Sequence, residues 1–280
     1  MATRILTHLS FSVRLDFMLK VDSITKDFLL PISFRRIARL DFKRLPAVHA
    51  LKDVSFDLPK GSVLAILGPN GAGKTTILKT LATLIIPDSG TVRLNDLILG
   101  KDDDRIKAAI GLMTSAERSF YWRLTGRQNL EFFAAMQGLS PDRIKTRIAE
   151  LYDLFGINYG DRRFDSYSTG MQQKLGLMRA VLHDPELLLL DEPTKSLDYA
   201  GAVALRDFIK DMMVKKHGKT VIFTTHQMEE AAGFADLFLI LHNGRAHAYG
   251  SLGQLRAQAG LPDGGLGEIF MKLTGGQTHA

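Results

Sequence analysis

The run Gly68-Pro69-Asn70-Gly71-Ala72-Gly73-Lys74-Thr75-Thr76 constrains this chain more than any other segment, because it fits the spacing G-x-x-x-x-G-K-[ST]. Val63 to Leu67, just before it, is continuously apolar and bounded by glycines, which predicts a strand buried on both faces. Lys74 to Ile86, just after it, reads as a helix with Ile77, Leu78, Leu81, Leu84 and Ile85 on its apolar positions, stopped at Pro87. Strand, glycine loop and helix in this order open a phosphate-binding α/β fold. The chemistry asks for these residue types. Gly68, Gly71 and Gly73 let successive backbone N–H groups converge on one anion. The helix N-terminus adds its positive dipole end. Lys74 then suits the β- and γ-phosphates of a nucleotide, and the Thr75 hydroxyl suits Mg2+.

Two further apolar runs end in polar groups. Leu187 to Leu190 leads into Asp191-Glu192-Pro193, which puts two carboxylates at the carboxyl end of a buried strand, where open α/β sheets bind ligands. Asp191 suits Mg2+, usually through water, and Glu192 suits a general base for an attacking water. Taken alone the pair also reads as strand punctuation. Thr220 to Thr224 runs through Thr225 to His226, either a sensor of a terminal phosphate or an ordinary surface histidine. Leu237 to Leu241 makes another strand, followed by the turn His242-Asn243-Gly244.

Elsewhere the pattern is looser. Leu19 to Thr25 reads as a short strand, and Leu51 to Leu58 alternates like a half-buried one before the turn Pro59-Lys60-Gly61. From Asp104 to about Arg163 the pattern is mostly helical, with amphipathic segments at Asn129 to Met136 and Ile144 to Phe155. Beyond the joint Leu261 to Gly267, residues Leu266, Ile269, Phe270 and Leu273 recur at helical spacing. Residues 1–18 read as a disordered extension, with Met18 as an alternative start. The order is that of an α/β core interrupted by a helical insertion.

Composition narrows the chemistry. The 280 residues include no cysteine, which excludes disulfides, thiolate catalysis and cysteine–zinc sites. No apolar run approaches the ~18 residues that read as a membrane span. Arg4, His8, Arg14 and Asp16 break the apolar N-terminus, so it does not read as a signal peptide. The net charge of +6 fits anionic lipid or nucleic acid and equally a plain soluble surface. No nucleic-acid-binding motif accompanies the basic residues, so nucleic acid is not an expected partner.

With the run Tyr167-Ser168-Thr169-Gly170-Met171-Gln172-Gln173 the chain resembles the nucleotide-binding subunits of ABC transporters, over roughly residues 19 to 275. This run matches the family signature usually written LSGGQ, with Ser168 and Gly170 at its most informative positions, although Ser-Thr-Gly before a helix also reads simply as an N-cap. The resemblance implies an α/β fold of the P-loop NTPase class. It has a core with a mostly parallel sheet, an N-terminal antiparallel β subdomain and a helical insertion that bears the signature. It divides the chain into an ATP-binding domain at 19–250, with a helical subdomain at about 105–180, and a tail at 251–280. It implies that ATP with Mg2+ is hydrolysed between two subunits packed head to tail, each signature completing the other subunit's cradle. Asp198, in Ser196-Leu197-Asp198, resembles the loop along that seam. Phe28 is placed as the aromatic that stacks on adenine, with Phe42 as runner-up.

The same resemblance implies a second ATP-binding subunit, most simply a homodimer, and integral membrane permease subunits, with the chain peripheral on the cytoplasmic face of the membrane. The tail, with Glu268-Ile269-Phe270 and Leu273-Thr274-Gly275, resembles that of exporter-type subunits. One position departs from the family. In Ile110-Gly-Leu-Met-Thr-Ser115 a serine replaces the usual glutamine, with Glu117 as a nearby substitute, which suggests altered coupling. Phe120, Tyr121 and Trp122 are either anchors for the permease or packing inside the insertion. The basic segment 29–49, with Arg35, Arg36, Arg39, Lys43 and Arg44, reads as a solvated loop or as a contact with headgroups or the partner. Two other readings compete: a soluble ABC-type ATPase acting on ribosomes or DNA, and a catalytically silent regulatory subunit. Against the first stand the single cradle and the absence of a heptad run. Against the second stand Lys74, Asp191, Glu192 and His226.

Overall fold

The computed structural model describes residues 17–29, 47–114 and 120–276. Ten strands form two sheets among these residues: β1 Phe17–Leu29, β2 Ala47–Pro59, β3 Val63–Leu67, β4 Ser89–Leu94, β5 Leu97–Ile98, β6 Ile110–Met113, β7 Leu187–Asp191, β8 Thr220–Thr225, β9 Leu237–His242 and β10 Arg245–Gly250. The first sheet is antiparallel, in the order β2-β1-β4-β5. The second runs β10-β9-β3-β8-β7-β6 and is parallel except for the edge hairpin β9–β10. That hairpin turns at Asn243 and Gly244, both at positive φ, as a tight two-residue turn requires.

The central strands β3, β7 and β8 are buried throughout, and their side chains alternate between two cores. Val63, Ala65, Leu67, Leu188 and Leu190 face the core shared with the helical insertion. Leu64, Ile66, Leu187 and Leu189 face the core shared with the antiparallel sheet. The helix Lys74–Leu81 adds Ile77, Leu78 and Leu81 to this second core, which locks the loop before it onto the sheet.

The helical insertion is well punctuated. The helix Gly126–Met136 begins with a capping box between Thr125 and Gln128. The helix Pro141–Phe155 starts with proline in its first turn and ends at Gly156 in the left-handed conformation. Its Ile144, Ile148, Leu151 and Phe155 form one buried stripe. The tail helices Leu252–Ala259 and Leu266–Thr274 set Leu255, Leu266, Ile269 and Phe270 into the same core as the insertion.

Four expectations change. The helix after the glycine loop ends at Leu81 rather than Ile86, with Thr83 at φ 60°. The stretch from Asp104 is not continuously helical. After the helix Asp103–Ala109 it supplies β6, the edge strand beside β7. The first strand begins at Phe17, and Met18 is already core, 1% exposed, so the boundary at residue 18 lies inside β1. Both β1 and β2 run longer than expected and pair as far as Leu29 and Ala47. Ser115, Glu117, Phe42, residues 1–16 and the stretch 30–46 of the basic segment lie outside the described residues.

Candidate functional site

The glycine loop lies at the carboxyl end of β3, between β9 and the β2 strand. A Cβ on Gly68 would stand 2.2 Å from the Leu241 carbonyl oxygen, so only glycine lets the loop pass so close to β9. Gly73 caps the following helix at φ 105°, and a Cβ there would meet the Ala50 carbonyl at 2.5 Å. Lys74 folds back over this loop, donating to the carbonyls of Gly68 at 2.7 Å and Pro69 at 3.0 Å. Burial pushes its ammonium below the ordinary lysine value and Lys195 pushes the same way, against the pull of Glu192 and Asp191.

β7 brings its carboxylates to the same edge. The Thr75 hydroxyl donates to Asp191, with Oγ1 at 3.0 Å from Oδ2 and 3.3 Å from Oδ1. Thr224 on β8, paired with Asp191 in register, donates its hydroxyl to Oδ1 at 2.6 Å. The backbone N–H of Glu192 donates to the same Thr224 hydroxyl at 3.0 Å. Glu192 itself sits at φ 48°, in the left-handed region. Its Oε1 lies 3.1 Å from Nδ1 of His226, and its Oε2 3.1 Å from Nζ of Lys195. Burial works to raise the Glu192 carboxyl, but hydrogen bonds and charge from Lys195 and His226 outweigh it and hold the group below the ordinary glutamate value.

Of these groups Gly73, Lys74, Thr75, Asp191, Glu192 and Lys195 line one cleft of about 430 Å³, whereas Gly68, Pro69, Thr224 and His226 do not. Its floor is Asn70, Gly71, Gly73, Lys74, Thr75 and Thr76, its far wall Asp191, Glu192 and Lys195. Its mouth is made by Phe28 with Val48, His49 and Ala50, which face each other across the β1–β2 pair. Phe28 is 39% exposed, and the Lys26 ammonium lies over its ring, 5.7 Å from the centroid. The structure therefore brings Phe28, the glycine loop, Asp191 and Glu192 into one site, with His226 behind Glu192.

Ser168, Gly170 and Asp198 are not among the residues lining this cleft. Ser168 caps the helix Thr169–Ala180, accepting from the Met171 N–H at 3.3 Å. Asp198 caps the helix Tyr199–Asp207, accepting from the Gly201 N–H at 2.7 Å. The two segments approach each other: the Gln173 side chain donates to the Lys195 carbonyl at 3.4 Å, and a Cβ on Gly170 would lie 3.8 Å from the Leu197 side chain. Sequence reasoning missed Thr224, Lys195 and His49. Only the strand register puts Thr224 beside Asp191, and a lysine in the turn after β7 carries no motif of its own.

A family model described as ABC transporter matches residues 51–195. The chain belongs to the ABC transporter family. It is 38% identical over 225 residues to the ABC transporter ATP-binding protein NatA of Bacillus subtilis (strain 168), covering 80% of this chain and 90% of that protein. It is 36% identical over 213 residues to the daunorubicin/doxorubicin resistance ATP-binding protein DrrA of Streptomyces peucetius, covering 76% of this chain and 64% of that one. A solved ATP-binding subunit of an ABC transporter aligns with a TM-score of 0.75 and 28% identity, over 92% of this chain and 99% of its own. A dimeric ATP-binding cassette in a post-hydrolysis state shares the fold, with a TM-score of 0.71 at 24% identity over 84% of this chain and 99% of its own. The ABC protein described here is an ATP-binding subunit and an ATPase. Among its described residues no helix is long and apolar enough to cross a membrane.

Proposed function

We propose that this ABC subunit powers export: two copies close head to tail over two Mg-ATP, and the closure and reopening drive a separate membrane permease. The observation that carries the catalytic half is the single cleft joining Phe28, the glycine loop, Asp191 and Glu192. In this reading Phe28 stacks on adenine. Gly68, Pro69, Asn70, Gly71, Ala72 and Gly73 wrap the phosphates, with Thr76 in the first helical turn. Lys74 turns from its two carbonyls to the β- and γ-phosphates.

The donors at Thr75 and Asp191 are a hydroxyl and a carboxylate, the hard oxygens that Mg2+ takes, and they already meet each other at 3.0 Å. They fit that ion, which when bound screens the phosphate charge. Glu192 accepts the proton of the attacking water. His226 fixes the orientation of that carboxylate and meets the terminal phosphate. Ser168 and Gly170 serve nucleotide on the other copy. Asp198 follows the seam. The domain frame is the one expected above, an ATP-binding domain to residue 250 and a tail packed onto its core.

The permease half rests on a second surface. An open groove of about 980 Å³ lies between the end of the cradle helix, β6 and the insertion. Leu84 and Met136 on its rim are 60% and 71% exposed, large apolar side chains without cover. We assign this groove to a cytoplasmic segment of the permease, with the half-exposed Tyr121 6.5 Å, ring to ring, from Phe133 of its lining, while the half-exposed Trp122 meets Phe164 and Phe120 packs internally. Export is supported by the relatives named for resistance to daunorubicin/doxorubicin and to linearmycin.

The test is purification of the Glu192→Gln variant with ATP from native membranes. A polytopic membrane protein recovered only with ATP, and extruding substrate when reconstituted with the wild-type subunit, is the expected result. Ribosomes or DNA recovered from the soluble fraction instead would replace this reading with that of a soluble ABC-type ATPase.

A further inference from the structure

The residue just before Ser168 is built into the insertion with unusual care. Tyr167 is buried, 5% exposed, and its hydroxyl donates to the Tyr159 carbonyl at 3.0 Å. Its ring meets the Tyr159 ring edge-on at 5.1 Å and packs on Phe164 at 5.4 Å. Gly126 makes room for it: a Cβ there would lie 2.1 Å from the Tyr167 hydroxyl. The buried hydroxyls of Tyr152 and Tyr159 find no acceptor among the described residues, so in this cluster only the Tyr167 hydroxyl fixes a direction. Burial pushes the Tyr167 phenol above its ordinary value, which keeps it a donor.

The backbone around it is tied down as well. The Tyr167 N–H donates to the Phe164 carbonyl at 3.0 Å, and the Gln172 side chain donates to the Tyr167 carbonyl at 3.2 Å. Phe164 N–H and Asp165 N–H donate to the carbonyls of Leu124 and Trp122. The insertion's aromatic cluster meets the signature helix at both ends: Arg179 in its last turn lies over the Phe120 and Phe133 rings at 4.8 and 5.1 Å, and at its start Tyr167 is the contact one peptide from the Ser168 cap. None of these contacts reaches the cleft that holds the subunit's own nucleotide.

We propose that Tyr167 is a positioning residue for the signature: through its bond to the Tyr159 carbonyl it sets where Ser168 and the first helical turn meet nucleotide on a second copy. This rests on the head-to-tail reading above. Loss of the anchor affects closure over ATP and leaves nucleotide binding by the single subunit intact. A residue that merely fills the core changes thermal stability and neither of these.

The test uses the full chain carrying Glu192→Gln, so that closed dimers accumulate. Three substitutions are added singly: Tyr167→Phe removes only the hydroxyl, Gly126→Ala presses on it, and Ser168→Ala removes the cap. Dimer formation is followed by size-exclusion chromatography against ATP concentration. Binding of a fluorescent ATP analogue to the dilute single subunit is measured alongside, with thermal unfolding as the folding control. Tyr167→Phe is expected to raise the ATP needed for half-dimerisation about fivefold, the weight of one neutral hydrogen bond, with single-subunit binding unchanged. Gly126→Ala, where it folds, is expected to do the same. Dimerisation of Tyr167→Phe at unshifted ATP, while Ser168→Ala is impaired, overturns the proposal alone. An unimpaired Ser168→Ala brings down the signature reading and this proposal with it.

Discussion

Thr224 holds Asp191 by a 2.6 Å hydrogen bond from its hydroxyl, and the same hydroxyl accepts the backbone N–H of Glu192. One fully buried side chain on β8 thus holds the Asp191 carboxylate and ties down the backbone of Glu192 at the end of β7. Thr224→Val keeps the shape and removes both bonds. It leaves a buried N–H without its acceptor, at a cost of about 1–3 kcal/mol. The expected outcome is a lower melting temperature, together with a fall in kcat and a higher Mg2+ requirement at unchanged ATP affinity. Thermal unfolding and ATPase assays over a Mg2+ series check it.

Phe28 lines the cleft, with the Lys26 ammonium over its ring at 5.7 Å. Replacing it with alanine is expected to weaken ATP binding by about 1–3 kcal/mol, the usual weight of a base stacked on an aromatic ring. Because the side chain is 39% exposed, the melting temperature should barely move. Equilibrium titration with ATP and a thermal scan of the same variant check both halves.

The central strands, the glycine loop and the two acids were legible in the sequence because each is a local pattern: a short apolar run, a glycine spacing, a carboxylate at a strand end. What was not legible depends on pairing or on partners. Thr224 reads as an ordinary strand threonine until the register sets it against Asp191. β6 hides because Ile110-Gly111-Leu112-Met113 is only four residues long, and its glycine, over which the Ala180 carbonyl passes, interrupts any pattern. The cradle helix was extended to Ile86 because Leu84, Ile85 and Ile86 prolong its apolar rhythm. Two of these are exposed, Leu84 on the groove rim, so that rhythm belongs to a surface and not to the core. Phe28 could be named from the sequence. The β1–β2 register carries it to the cleft, while the runner-up Phe42 lies outside the described residues.

Asp88 pins the outer part of β1, on the Phe28 side. Its carboxylate accepts from Lys26 Nζ at 2.8 Å and from the Asp27 N–H at 2.7 Å. The Lys26 hydrogen bond, followed by that from Asp27, holds the carboxyl below the ordinary aspartate value. A depressed folded-state value adds stability above the unfolded value, ~3.9, and that stability is lost as the pH falls through the folded value. The group is exposed, so solvent screening limits the gain to about 0.5 kcal/mol. Asp88→Asn is therefore expected to be less stable than wild type by about that much at pH 7, the gap closing as the pH falls through the depressed Asp88 value. Urea unfolding of both proteins across that range checks the sign.

Gly73 stands where no other residue fits, for two independent reasons. Its φ of 105° is a conformation that side chains with a Cβ rarely adopt, and such strain costs roughly 1–3 kcal/mol. The added methyl of Gly73→Ala would also press on the Ala50 carbonyl at 2.5 Å and the Leu51 side chain at 3.1 Å. Backbone cannot yield as a flexible side chain does, so the loop must move away from β2. That movement carries the Lys74 amide with it and opens the cleft between the phosphate cradle and the strand that bears Val48 and His49. The variant is expected to fold with a lowered melting temperature and to lose ATP binding, and with it hydrolysis. Addition of Mg-ATP should raise the wild-type melting temperature and leave that of the variant unchanged, which a pair of thermal scans with and without nucleotide would show.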